Sequence, residues 1–148
     1  MRKCGDCAIC CYHCNVPEMD SPAGQMCSKN TGKGCSIYED RPAICRPFQC
    51  LWLQQEQIPD SLRPDRCGVM FETPFECDVW IGYADPDNPE AWGSDEVQRM
   101  IGKINESGHS VVILLPDGMK VFSLAEGQTK EEMHEQVNGY CFRNGIAA

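Results

Sequence analysis

Cys4-Gly5-Asp6-Cys7-Ala8-Ile9-Cys10-Cys11-Tyr12-His13-Cys14 puts five cysteines into eleven positions at the start of the chain. It reads as two Cys-x-x-Cys steps ending in a vicinal pair, followed by Cys14. Two residues between thiols let one turn of backbone aim both sulfurs at a single ion, which is the step of zinc and iron–sulfur sites. Free thiolates packed this closely repel one another and oxidise, so the run predicts either bound metal or disulfides.

Working outward, eight of the twelve cysteines fall within the first 45 residues. An even count and a high cysteine share would suit a disulfide framework. Against disulfides, Met1-Arg2-Lys3-Cys4 offers no apolar stretch that could serve as a signal peptide. No run of about eighteen apolar residues predicts a membrane span. The expectation is therefore a cytoplasmic protein without a membrane partner, where clustered cysteines mean metal. The net charge of −9, with no basic run, disfavours nucleic acid, because phosphate contacts need clustered Lys and Arg.

The length of 148 residues suits one compact unit with two dissimilar parts. Residues 1–67 hold ten cysteines among scattered Gly, Pro, Asn and Asp, and their apolar residues keep no helical or alternating period. Such a segment depends on metal for its order. Ile58-Pro59-Asp60-Ser61-Leu62-Arg63-Pro64-Asp65 reads as linker-like.

Residues 68–148 read as α+β. Strands are predicted at Val69–Thr73 and Val79–Tyr83, which are β-branched or aromatic and bounded by Pro and Asp. Ser94 is set as the N-cap of a helix carrying Asp95 and Glu96 in its first turn, with Val97, Met100, Ile101 and Ile104 on one face and Gly108 at its end. Val111–Leu115 is a continuous apolar run suited to a buried strand, and Pro116-Asp117-Gly118 turns it into Lys120–Leu124 as a hairpin. Thr129 and Glu132 form a capping box for a short last helix holding Met133 and Val137. The predicted fold is thus an irregular cysteine-rich metal-binding N-terminal half packed on a small α+β C-terminal half.

Beyond the opening run stand Cys27, Cys35, Cys45 and Cys50. Vicinal side chains diverge, so Cys10 and Cys11 are expected to serve two metals, or one of them has another task. Eight thiolates suffice for two closed four-cysteine zinc sites. Arg41 and Arg46 are positioned in sequence to offset their negative charge and donate to sulfur, although a solvated surface pair is the plainer reading of both.

These residues carry a resemblance. Cys-x-x-Cys-x-x-Cys-Cys, then Cys27, Cys35, Arg41-Pro42-x-x-Cys45-Arg46-x-Phe48 and Cys50, resembles the YkgJ-type zinc- or iron-chelating domain family over roughly the first third of the chain. The resemblance implies a metal-ligand set of Cys4, Cys7, Cys10, Cys11, Cys27, Cys35, Cys45 and Cys50. It implies metal chelation as the family trait, and a related domain occurs in flagellin lysine methylases. The reading is a cytoplasmic zinc protein acting as a chelating or interaction module.

Iron–sulfur is the alternative cofactor. Cys4, Cys7, Cys10 and Cys14 match the spacing of the bacterial ferredoxin run, but Asn15 replaces the proline and no second run follows. A cluster would imply redox or methyl-transfer chemistry with a protein partner. His13 is a candidate mixed ligand, with exposure the plainer expectation. Cys67, Cys77 and Cys141 are read as buried apolar thiols, and His109 and His134 as surface residues. Trp52 and Trp80 are expected in the core and Trp92 exposed. There is no phosphate loop, nucleophile elbow or His-Glu-x-x-His helix, so no catalytic residue is assigned.

Overall fold

A computed structural model describes residues 1–73 and 78–144. The C-terminal part is built on a four-stranded mixed sheet in the order β1-β2-β3-β4, with β1 Val69–Glu72, β2 Trp80–Ala84, β3 Val111–Leu114 and β4 Lys120–Ser123. Antiparallel pairs flank one parallel pair, β2 with β3. A parallel neighbour needs a crossover, which here contains α4, Asp95–Glu106. Every residue of β3 is buried, which explains its unbroken apolar run: a strand covered on both faces has no solvent side to alternate toward.

Ser94 caps α4 by accepting from the Val97 amide at 3.4 Å, and Val97, Ile101 and Ile104 face the core. The Thr129–Glu132 box is reciprocal, each side chain accepting from the other's amide at 3.2 and 3.3 Å. The helix it opens, α5, is not short: it runs Lys130–Asn144. Tyr140 and Cys141 continue the buried stripe of Met133 and Val137, and that burial carries the helix past Gly139.

The linker-like reading of residues 58–65 is corrected. Ile58 and Leu62 are buried, and the segment enters α3, Pro64–Cys67, against β1. With Leu51 and Trp52 of α2, Leu51–Gln54, they join the apolar cluster formed by Val69 and Phe71. Trp92 is also half-buried against this core rather than exposed. Cys67 and Cys141 are buried as predicted, while Cys77 lies outside the described residues. Among the described residues no helix is long and apolar enough to cross a membrane.

The N-terminal part is different in kind. In residues 1–49, Val16 is the one hydrophobic side chain that is buried. Its regular structure amounts to the single-turn helix α1, Cys10–His13, two short 3-10 turns and two isolated bridges.

Candidate metal centre

The opening loop, α1 and the chain after it bend around one cavity of about 220 Å³. All eight motif cysteines line it, as does Cys14. Cys4 and Cys7 sit on a turn closed by the Cys7 amide on the Cys4 carbonyl (3.1 Å), and Cys10 and Cys11 start α1. Cys27 is tied back to α1 by its amide on the Cys11 carbonyl (3.0 Å). Cys35 closes a tight turn by bridging to Asn30. Cys45 follows the Arg41-Pro42 step, and Cys50 stands directly before α2. The described cysteines are all free thiols, so the disulfide alternative is not realised among them.

Gly34 shapes this wall. It is buried at φ +112°, and a Cβ there would lie 2.7 Å from the Gly5 carbonyl oxygen. Only a residue without a side chain lets the Asn30–Cys35 turn press against the Cys4–Cys7 turn.

The thiols differ in acidity for physical reasons. A hydrogen bond from Cys10 brings the Cys11 thiol down to about 7, with the Arg41 charge helping. The same hydrogen bond, then burial, drives Cys10 well above the usual thiol range. Burial raises Cys7 to about 11 and Cys14 to about 12, the Glu72 carboxylate adding to the second. Cys4, Cys45 and Cys50 are raised chiefly by burial as well. Arg41 is the cation of the site: its guanidinium lies 3.9 Å over the Tyr38 ring, its Nε donates to the Tyr38 carbonyl, and its charge favours the thiolates of Cys4, Cys11 and Cys45. Arg46 is exposed and gives its Nε to the Arg41 carbonyl at 2.7 Å.

His13 is not an exposed loop residue. It lines the cavity, donates from Nε2 to the Ala84 carbonyl at 3.0 Å, and packs between Tyr12 and Tyr83. Burial holds its imidazole down at about 4, so it is neutral at pH 7. His134 is exposed and His109 half-buried beside Trp80.

The sheet supplies a floor that the cysteine pattern does not announce. Met70 opposes Tyr83 in the β1–β2 register, and Glu72 lies two residues on from Met70, so all three share one face. That face looks into the cavity. Tyr83 and Tyr140 each donate from the phenol to one oxygen of the Glu72 carboxylate, both at 2.8 Å. The one sequence signal was an acidic residue ending an apolar strand; Tyr140 arrives from α5 and could not be placed from spacing.

The donor set suits a thiophilic metal, since soft sulfur ligands select zinc and iron–sulfur clusters. The sulfurs ring the cavity rather than converging: among the described residues no three His, Cys, Asp or Glu side chains stand together as an ion would need them. Binding therefore requires the turns to close inward. Compared with protein-family models, with curated proteins and with solved structures, the chain matches none.

Proposed function

We propose that this chain is a zinc-binding module of the YkgJ type, in which Cys4, Cys7, Cys10, Cys11, Cys27, Cys35, Cys45 and Cys50 supply the ligands. The carrying observation is that all eight line a single cavity, in a segment where Val16 and Cys50 alone are buried hydrophobic side chains. A segment without an apolar core gains its order from ligand bonds, and structural zinc contributes on the order of 10 kcal/mol in such cases. Zinc fixes the positions of the turns that carry its ligands. Arg41 offsets the charge of the thiolates, and the α+β half serves as the platform. The role is chelation or the presentation of a metal-ordered surface to a protein partner, in the cytoplasm.

A second reading has its own support. Cys14 lines the cavity along with Cys4, Cys7 and Cys10, so the ferredoxin-like run borders the same space. An iron–sulfur cluster there would take part in redox or methyl-transfer chemistry with a partner. Metal analysis and absorption spectra of anaerobically purified protein separate the two. A colourless protein with about two zinc per chain supports zinc, and a brown one with thiolate-to-iron absorption supports the cluster. Protein that binds neither metal refutes both.

A further inference from the structure

We infer that the floor of the cavity, where Tyr83 and Tyr140 hold the Glu72 carboxylate, is a binding site for a small alkylammonium ion. The inference goes beyond the metal reading, because this floor belongs to β1, β2 and α5 and contains none of the eight proposed ligands.

The balance of donors and acceptors selects the ligand. Each phenol gives its proton to a different oxygen of Glu72, both at 2.8 Å, so neither has a proton left for the cavity. A carboxylate accepts about four hydrogen bonds, which leaves Glu72 with acceptor sites beyond the two phenols. Beside Tyr83, His13 likewise gives its Nε2 proton to the Ala84 carbonyl. Glu72 is half-buried, and a carboxylate withdrawn from water favours a partner of opposite charge. Lys29 and Arg41 border the cavity, but neither is paired with Glu72, and no other cation is among the described residues. The group that fits is positively charged and carries N–H donors, which describes a protonated amine. A calcium or magnesium ion does not fit, since it takes several oxygen ligands. Among the described residues no three His, Cys, Asp or Glu side chains stand together. Ile9, Phe48, Leu53 and Met70 line the same space and give an alkyl stem its apolar surface. Apolar walls with a few placed polar groups are the usual make-up of a small-molecule site. The cysteine-bearing turns bend around the rest of the cavity, so the occupant is a small free amine rather than a group carried on a macromolecule. The site is also held ready: Glu72 ends β1, and Tyr83 and Tyr140 are buried, so binding need not order them.

The test titrates n-butylammonium chloride into the full-length protein as purified, with isotope-labelled methionine methyl groups followed by NMR. Met70 lines the cavity floor, whereas Met119 is exposed between β3 and β4 and serves as the remote control. The Met70 methyl should shift saturably while Met119 stays in place. n-Butanol keeps the stem without the charge, and tetramethylammonium keeps the charge without N–H donors. Each should bind about tenfold or more weaker, since hydrogen bonds to a charged group are the stronger kind. Glu72→Gln keeps the size of the side chain and its hydrogen bonding to the phenols, and it should weaken n-butylammonium by a similar factor. The site is overturned if n-butanol matches n-butylammonium, if Glu72→Gln binds as tightly as the wild type, or if Met70 shows no saturable shift. Should Glu72→Gln fail to fold, the comparison of the three probes on the wild-type chain decides alone.

Discussion

Replacing Gly34 by Ala tests whether the close approach of two thiol-bearing turns holds the site together. Two costs arise. Gly34 sits at φ +112°, and a left-handed placement costs an L-residue about 1–2 kcal/mol. The new Cβ would also stand 2.7 Å from the Gly5 carbonyl oxygen, a backbone atom that cannot swing aside as a side-chain end can. Overpacking of this kind adds about 1–3 kcal/mol. Gly32 provides the internal control: it lies two residues away at φ +80° with nothing within 4 Å of its would-be Cβ, so Gly32→Ala carries the conformational cost alone. Denaturant unfolding of the zinc-loaded variants, at fixed free zinc, should place Gly34→Ala below Gly32→Ala by about 1–3 kcal/mol. Metal analysis should show Gly34→Ala losing zinc while Gly32→Ala keeps it. Equal stability and equal metal content in the two variants would falsify the claim that this contact positions Cys35.

The pH dependence should change sign with metal. The half-buried Cys7 and Cys14 thiols, raised to about 11 and 12 from the ordinary 9, favour the metal-free fold below pH 9, and that contribution is lost as pH rises through 11–12. Zinc-loaded protein should instead lose metal and stability as pH falls, because protons compete for the ligating thiolates; circular-dichroism melts of both forms across pH check this. Tyr83→Phe and Tyr140→Phe each remove one of the two phenols held on Glu72 and should cost about 1–3 kcal/mol in denaturant midpoints, with zinc content unchanged. Cys141→Ser should also leave zinc content unchanged and cost on the order of 1–2 kcal/mol, whereas Cys45→Ser should lower zinc content and open residues 1–49 to protease while β3 and β4 stay protected from hydrogen exchange.

The parts of the fold legible in the sequence are those that apolar periodicity and local capping determine. Val97, Ile101 and Ile104 repeat at helical spacing behind Ser94, and Val111–Leu114 followed by Pro116-Asp117-Gly118 specifies a strand and its turn. The linker-like segment misled because Pro and Asp dominate its composition, while Ile58 and Leu62 are too widely spaced to show a period and bury themselves through tertiary contact. All eight positions that the family resemblance singles out line one cavity, as does Cys14, which it leaves out. What spacing cannot show is register. Glu72 and Tyr83 become neighbours only through the β1–β2 pairing, and Tyr140 reaches them across 68 positions of chain. His13 was misplaced for the same reason, since its partner, the Ala84 carbonyl, is 71 positions away.

Two arginines fasten the thiol-bearing turns to the rest of the chain. Arg2 donates from both guanidinium nitrogens to four carbonyls, those of Trp52, Gln55, Glu56 and Ile58, and stacks 4.4 Å over Trp52. One of these carbonyls, that of Trp52, belongs to the last turn of α2 and the other three to the chain after it, so this cation ties off the helix end and pins the chain just before Cys4 to the chain after Cys50. Arg63, half-spanning to Asp6 at 2.5 Å, pins the residue before Cys7 to the start of α3 in the same way. The helical turn carrying Cys10 and Cys11 is fastened to the sheet by the His13 bond to the Ala84 carbonyl, and Cys27 and Cys35 hold to it and to the Cys4–Cys7 turn through main-chain contacts and the Gly34 approach. Ordering ligands before binding lowers the entropy lost on binding, so the arginine contacts beside Cys4, Cys7 and Cys50 should tighten zinc binding. Arg2→Met keeps an apolar stem over Trp52 but drops the four carbonyl bonds, and titration with a competing chelator should show it giving up zinc more readily than the wild-type chain. If Arg2→Met holds zinc as tightly as the wild type, this fastening does not prepare the ligands.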